Sequence, residues 1–174
     1  MFRGWDNFYL MMGSAAGGLI GLLFVVVTLT AGLDRPQSSR GSSLYLTPTA
    51  LNFGLVLSIC AVAVAPPLAA IETSVMIGLI ALGGLVGSLR PILGIPRPPP
   101  GQGAPHWSDV WMYGATPALI YLGLLAAAIA VWAGAAWAAH VMAGLLLILL
   151  LVSIRNAWDL MTFIAPMRRD GPPS

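Results

Sequence analysis

VWMYGATPALIYLGLLAAAIAVWAGAAWAAHVMAGLLLILLLVSI, residues 110–154, contains no Asp, Glu, Lys or Arg. Wound as one helix at about 1.5 Å per residue, it would be roughly twice as long as a hydrocarbon core of about 30 Å. The run must therefore fold back. Gly134, inside WAGAAW, is the natural turn. Two membrane crossings follow from this stretch alone.

The rest of the chain has the same character. Apolar residues make up 58% and charged residues 8%, whereas an ordinary soluble domain carries roughly a quarter charged residues. Three further uncharged runs, Asn7–Leu33, Gly41–Ile71 and Thr73–Leu89, approach or exceed the length of about 20 largely apolar residues that a span needs. The reading is a single all-α domain, a bundle of five transmembrane helices at residues 8–32, 48–67, 72–90, 109–132 and 137–160, with a tail at 161–174. Thr47 can cap the second span with Pro48 at its first helical position, and Ser108 can cap the fourth. Between spans two and three, Pro66 and Pro67 must end or kink a helix just before Glu72. A re-entrant hairpin leaving three full crossings is the rival topology.

Orientation rests on arginine, since the chain has no Lys. Five spans put Arg35, Arg40, Arg90, Arg97, Arg168 and Arg169 on one side and Arg3 on the other. The positive-inside rule then places the N-terminus outside and the C-terminus in the cytoplasm. The net charge of +2, with its basic residues at span boundaries and no basic patch interleaved with aromatics, excludes a nucleic-acid partner. The first apolar run is too long for a signal h-region and has no strongly basic segment before it. Phe2, Trp5, Phe8 and Tyr9 read as an aromatic belt at the outer interface. The single cysteine, Cys60, allows neither an internal disulfide nor a Cys-based metal site, and reads as packing. PILGIPRPPPGQGAP, residues 91–105, reads as a stiff extended connector between spans three and four.

Small residues supply the packing signal. Gly13, Gly17 and Gly21 recur every four residues with Ser14 and Gly18 beside them, so that another backbone can approach. Gly83 and Gly87 repeat the device in span three, as do Ala135, Ala139 and Ala143 in span five, with Gly144 following. Such stripes serve packing within one chain, contact between chains, or both.

Ionisable and polar groups fall into two layers. Helical phase turns Asp6, Glu72 and His140 toward neighbouring helices near the outer surface, where together they could hold a proton or a cation; the alternative is that each meets water or headgroups. The inner layer comprises Thr28, Asn52, Arg155, Asn156 and Asp159. Arg155 and Asp159, at i and i+4, can neutralise one another, and Asn156 can reach Asn52. Depth favours reading this pair as the inner boundary of the membrane, with Arg155 snorkelling to the headgroups. Pro117 leaves the Tyr113 carbonyl without its helical donor. It reads as a kink, though broken backbone of this kind also lines ion sites.

Chemistry-bearing motifs are absent. GSAAG is not a G-x-S-x-G elbow, and neither C-x-x-C nor H-E-x-x-H occurs. No catalytic residue, metal ligand or cofactor is expected. NFYLMMGSAAGGLIGLLFVVVTL (7–29) and SIRNAWDLMTFIA (153–165) resemble segments of small, uncharacterised bacterial multi-span proteins. That resemblance implies a bacterial inner membrane and carries no functional residue. The expected partners are the lipid bilayer and other membrane helices or copies of the chain. Two functions stay open: an accessory or scaffolding subunit docking through its Gly and Ala stripes, and a homo-oligomeric channel or small transporter. The largely apolar middle of the spans tilts toward the subunit.

Overall fold

The computed structural model describes residues 2, 4–30, 38–66, 69–93 and 111–164. The order is α1 (Asp6–Thr30), α2 (Ser38–Val64), α3 (Ala70–Leu93), a π-helical turn (Trp111–Ala115) running into α4 (Thr116–Trp132), and α5 (Ala138–Ile164). No strand occurs among the described residues. Three of the helices are long and apolar enough to cross a membrane, over Asp6–Leu29, Ala70–Leu89 and Ala138–Asp159; Pro48–Val64 and Thr116–Trp132 are shorter apolar segments.

The expected fold-back is present and its mechanics are local. Gly134 has φ of 72°, a left-handed value that costs a residue with a Cβ. The Ala135 N–H donates to the Ala130 carbonyl (3.0 Å) and the Gly134 N–H to the Val131 carbonyl (3.1 Å). These two bonds form a Schellman motif that occupies carbonyls otherwise left open at the end of α4. Ala138 then starts α5. On the same side, α2 ends at Val64, Ala65 and Pro66 form a bend, and α3 opens at Ala70. There the Glu72 carboxylate accepts the Ala69 N–H at 3.1 Å, one arm of a capping box.

Two boundaries differ from the sequence reading. α2 starts at Ser38, so Thr47 and Pro48 lie inside the helix and do not begin it. A proline withdraws one donor and leaves the rest of the ladder intact, so within a long helix it is accommodated. The fourth span, expected as one α-helix over 109–132, is α-helical only from Thr116. Pro117 stands in the first turn of α4, and the turn before it winds as π. The expected cap at Ser108 lies outside the described residues; of the expected tail at 161–174, residues 161–164 continue α5 to Ile164 and the rest lie outside the described residues.

α2 packs against α1, α3 and α5, and α4 packs against α3 and α5, which leaves α1 at the edge. The larger of two core clusters has Tyr9, Phe53, Ile59, Ile77, Tyr121, Leu124 and Leu146 at its heart, and Ala130, Val131 and Ala138 form a small second one beside the Gly134 turn. On α5 the buried positions Ala139, Met142, Leu146, Leu149, Ser153 and Asn156 recur at three- and four-residue spacing, a single inward stripe. The outside is as apolar as the inside. Leu22, Phe24, Leu29, Leu79, Ile129 and Trp158 are all exposed, an arrangement that suits lipid and not water.

Candidate functional site

The inward stripes change character toward the ends of α2, α3 and α5 remote from the Gly134 turn. The buried polar residues there are Thr49 and Asn52 on α2, Ser88 on α3, and Ser153 and Asn156 on α5. Tyr121 enters this layer from α4. Its hydroxyl donates to Asn52 Oδ1 at 2.8 Å with both side chains buried. The Tyr121 ring lies against Gly84, where an added Cβ would collide with it. Gly84 is thus the seat that admits the tyrosine, and its own carbonyl accepts the Ser88 hydroxyl at 2.8 Å.

The second polar link reaches the π turn. Asn156 Nδ2 donates to the Met112 carbonyl at 3.2 Å. Sequence arithmetic explains why that carbonyl needs a side chain. Where bonds run from i to i+5, the partner of Met112 is residue 117, and Pro117 has no N–H. Asn156 replaces the missing donor from across the α4–α5 seam. Asn52 and Asn156, expected to meet, each link to a group on the α4 segment.

The other residues of the expected inner layer face outward. The exposed Thr28 hydroxyl returns to its own helix, to the carbonyls of Val25 (2.8 Å) and Phe24 (3.1 Å). Arg155 and Asp159 form the anticipated i,i+4 pair at 3.9 Å, each about half exposed. An open pair of this kind contributes about 1 kcal/mol at most. The inner layer therefore divides into a buried neutral network and an exposed charged rim.

At the end of the bundle that carries the Gly134 turn, Asp6, Glu72 and His140 are all exposed. Glu72 is engaged by the Ala69 N–H, beside a shallow apolar depression formed with Ile71, Val75 and Met76. His140 packs edge-on against Trp5, with ring centroids 4.9 Å apart. Among the described residues no group of three His, Cys, Asp or Glu is placed to hold a metal ion. The aromatic residues form a packed knot: Trp5 meets Phe8 and Tyr9, and Phe2 meets Tyr9 edge-to-face. Tyr9 is fully buried and its hydroxyl donates to the Ala139 carbonyl at 2.9 Å, tying α1 to α5. Ser74 does the same between α3 and α4, donating to the Ala128 carbonyl at 2.7 Å.

Of the glycines singled out by spacing, Gly13 closes on Cys60 and Leu57 of α2 and Gly87 closes on Leu51. Gly17, Gly21, Gly83 and Gly144 have no atom within 4 Å of where a Cβ would stand. Gly84 and Gly123, the latter against Leu145, were not visible from glycine spacing. Gly84 could have been found from phase, since Ile77, Ala81, Gly84 and Ser88 follow one inward row. In chemical terms the buried layer offers amides, hydroxyls and the Met112 carbonyl that Asn156 holds. These fix helix register and orient Tyr121. No protein-family model, curated protein or solved structure matches this chain.

Proposed function

We propose that the chain is a non-enzymatic integral protein of a bacterial inner membrane, crossing it five times with the N-terminus outside and the C-terminus in the cytoplasm. Its role is that of an accessory or scaffolding subunit, docking against other membrane helices. The asymmetry of arginine, six against one at and beyond the span ends, supports the orientation. The antiparallel succession of packed neighbours from α1 to α5 supports the count of spans. The observation that carries the docking role is the open face of α1. Gly17, Gly18 and Gly21 have no atom within 4 Å of a would-be Cβ, and exposed Leu22, Phe24 and Val25 stand around them. A foreign backbone can come close there and gain van der Waals contact on both flanks.

Native mass spectrometry of the tagged protein, extracted gently from its own membrane, tests this role. An unrelated protein retained at fixed stoichiometry and lost in Gly17→Leu/Gly21→Leu is the expected result. A complex indifferent to both substitutions, or a protein always alone, defeats it. The buried polar layer favours a second reading, a passage formed between copies. That reading requires solute flux in liposomes that Asn52→Leu abolishes, together with a ring of identical chains.

A further inference from the structure

Four tryptophans frame the hairpin around Gly134. Trp132 and Trp137 flank the turn, and Trp111 and Trp158 each stand 21 positions further along its two arms. At about 1.5 Å per residue that separation is roughly 31 Å, which matches a hydrocarbon core of about 30 Å. The bond from Asn156 to the Met112 carbonyl holds the far ends of the arms together, so each pair of tryptophans sits at one height on the bundle. All four rings are between 45% and 69% exposed, although tryptophan is highly buried on average. Between them the exposed side chains continue the same rows at helical spacing: Leu119, Leu122 and Ile129 on α4, and Val141, Ile148 and Leu151 on α5. No Asp, Glu, Lys or Arg intervenes before Arg155, which lies within one turn of Trp158, where its long stem can snorkel.

We infer, on the reading that the chain crosses a membrane, that lipid and not protein covers the outward rows of α4 and α5, and that the four tryptophans pin this hairpin to the two interfaces of the bilayer. A tryptophan ring joins a large apolar body to one N–H donor, a combination satisfied at the boundary of hydrocarbon and headgroups and not at greater depth. The size of the residues between the rings disfavours a protein neighbour. Helices associate in membranes where small residues let backbones approach, and each row has a single exposed one near its middle, Ala126 or Gly144. The open half of α1 carries three, Gly17, Gly18 and Gly21, within five positions. Lipid thus takes the hairpin, and a protein partner is left α1. Midway between the two tryptophan planes stand Leu122 and Leu147, both exposed, at the level of the bilayer centre.

The test uses the full-length protein in lipid nanodiscs, labelled with 5-fluorotryptophan, with the four resonances assigned by Trp111→Phe, Trp132→Phe, Trp137→Phe and Trp158→Phe. Nitroxide lipids labelled near the headgroup or at the chain end are compared with a water-soluble gadolinium chelate. Each of the four signals is expected to broaden at least about twofold more with the headgroup-side label than with the chain-end label, which lies about 15 Å deeper. Leu147→Trp, with Leu122→Trp in its place should the first not fold, adds a reporter expected to show the reverse preference. A native signal that prefers the chain-end label while the reporter stays deep overturns the anchoring and leaves the membrane crossing standing. Native signals untouched by either lipid label mean that protein covers the rows, and overturn the assignment to lipid. A reporter broadened chiefly by the chelate defeats the crossing itself and the inference with it.

Discussion

The two halves of α1 are both largely apolar, both carry glycine on one row, and have opposite surroundings. From Trp5 to Ala16 the helix is closed: Tyr9, Met12 and Ala16 are buried, Gly13 sits against Cys60, and the Tyr9 hydroxyl reaches Ala139. From Gly17 to Leu29 only Leu23 is buried, and the glycines face open space. A glycine row therefore marks where a backbone can approach. Whether one does depends on how the neighbouring helix runs, and α2 reaches the row at Gly13 only.

The largest contrast should come from filling one closed and one open glycine. Gly84→Ala drives a methyl into the Tyr121 ring and is expected to cost about 1–3 kcal/mol as overpacking. Gly21→Ala meets nothing and should stabilise the isolated chain by about 0.5–1 kcal/mol through helix propensity. Reversible unfolding in mixed micelles measures both, and equal effects would erase the distinction between closed and open faces. Next in size is Asn52→Leu, which strands the buried Tyr121 hydroxyl at a cost of about 1–3 kcal/mol. Tyr121→Phe in the same background should recover most of that loss, since it removes the stranded group itself. Tyr9→Phe cuts the tie of the closed half of α1 to α5 and is expected to cost about 1 kcal/mol. The smallest effect belongs to Arg155→Ala at the exposed rim, within about 0.5 kcal/mol in the same assay.

Much of the architecture was legible because it follows from length and charge. A long uncharged run must reverse, and Gly134 was the residue able to do it. Pro48 and Pro117 were harder, because a proline states which donor is missing and not how the chain responds. One response was to carry the helix through, the other to widen the turn. The inner layer was half legible. Asn52 and Asn156 were recognisable as polar residues among apolar ones, yet their partners, a tyrosine hydroxyl and a backbone carbonyl, depend on how two helices meet. Asp6, Glu72 and His140 show the converse, since helical phase brought them to one end of the bundle without joining their side chains.

The bond from Tyr9 to Ala139 joins positions 130 residues apart. At about 5–20 residues per second, the ribosome needs roughly 6–26 seconds to make the chain between them. Until α5 arrives, α1 must wait with its tyrosine unsealed. The closed half of α1 is thus made well before its seal to α5 can form, and in that interval the face that Ala139 later covers stands open.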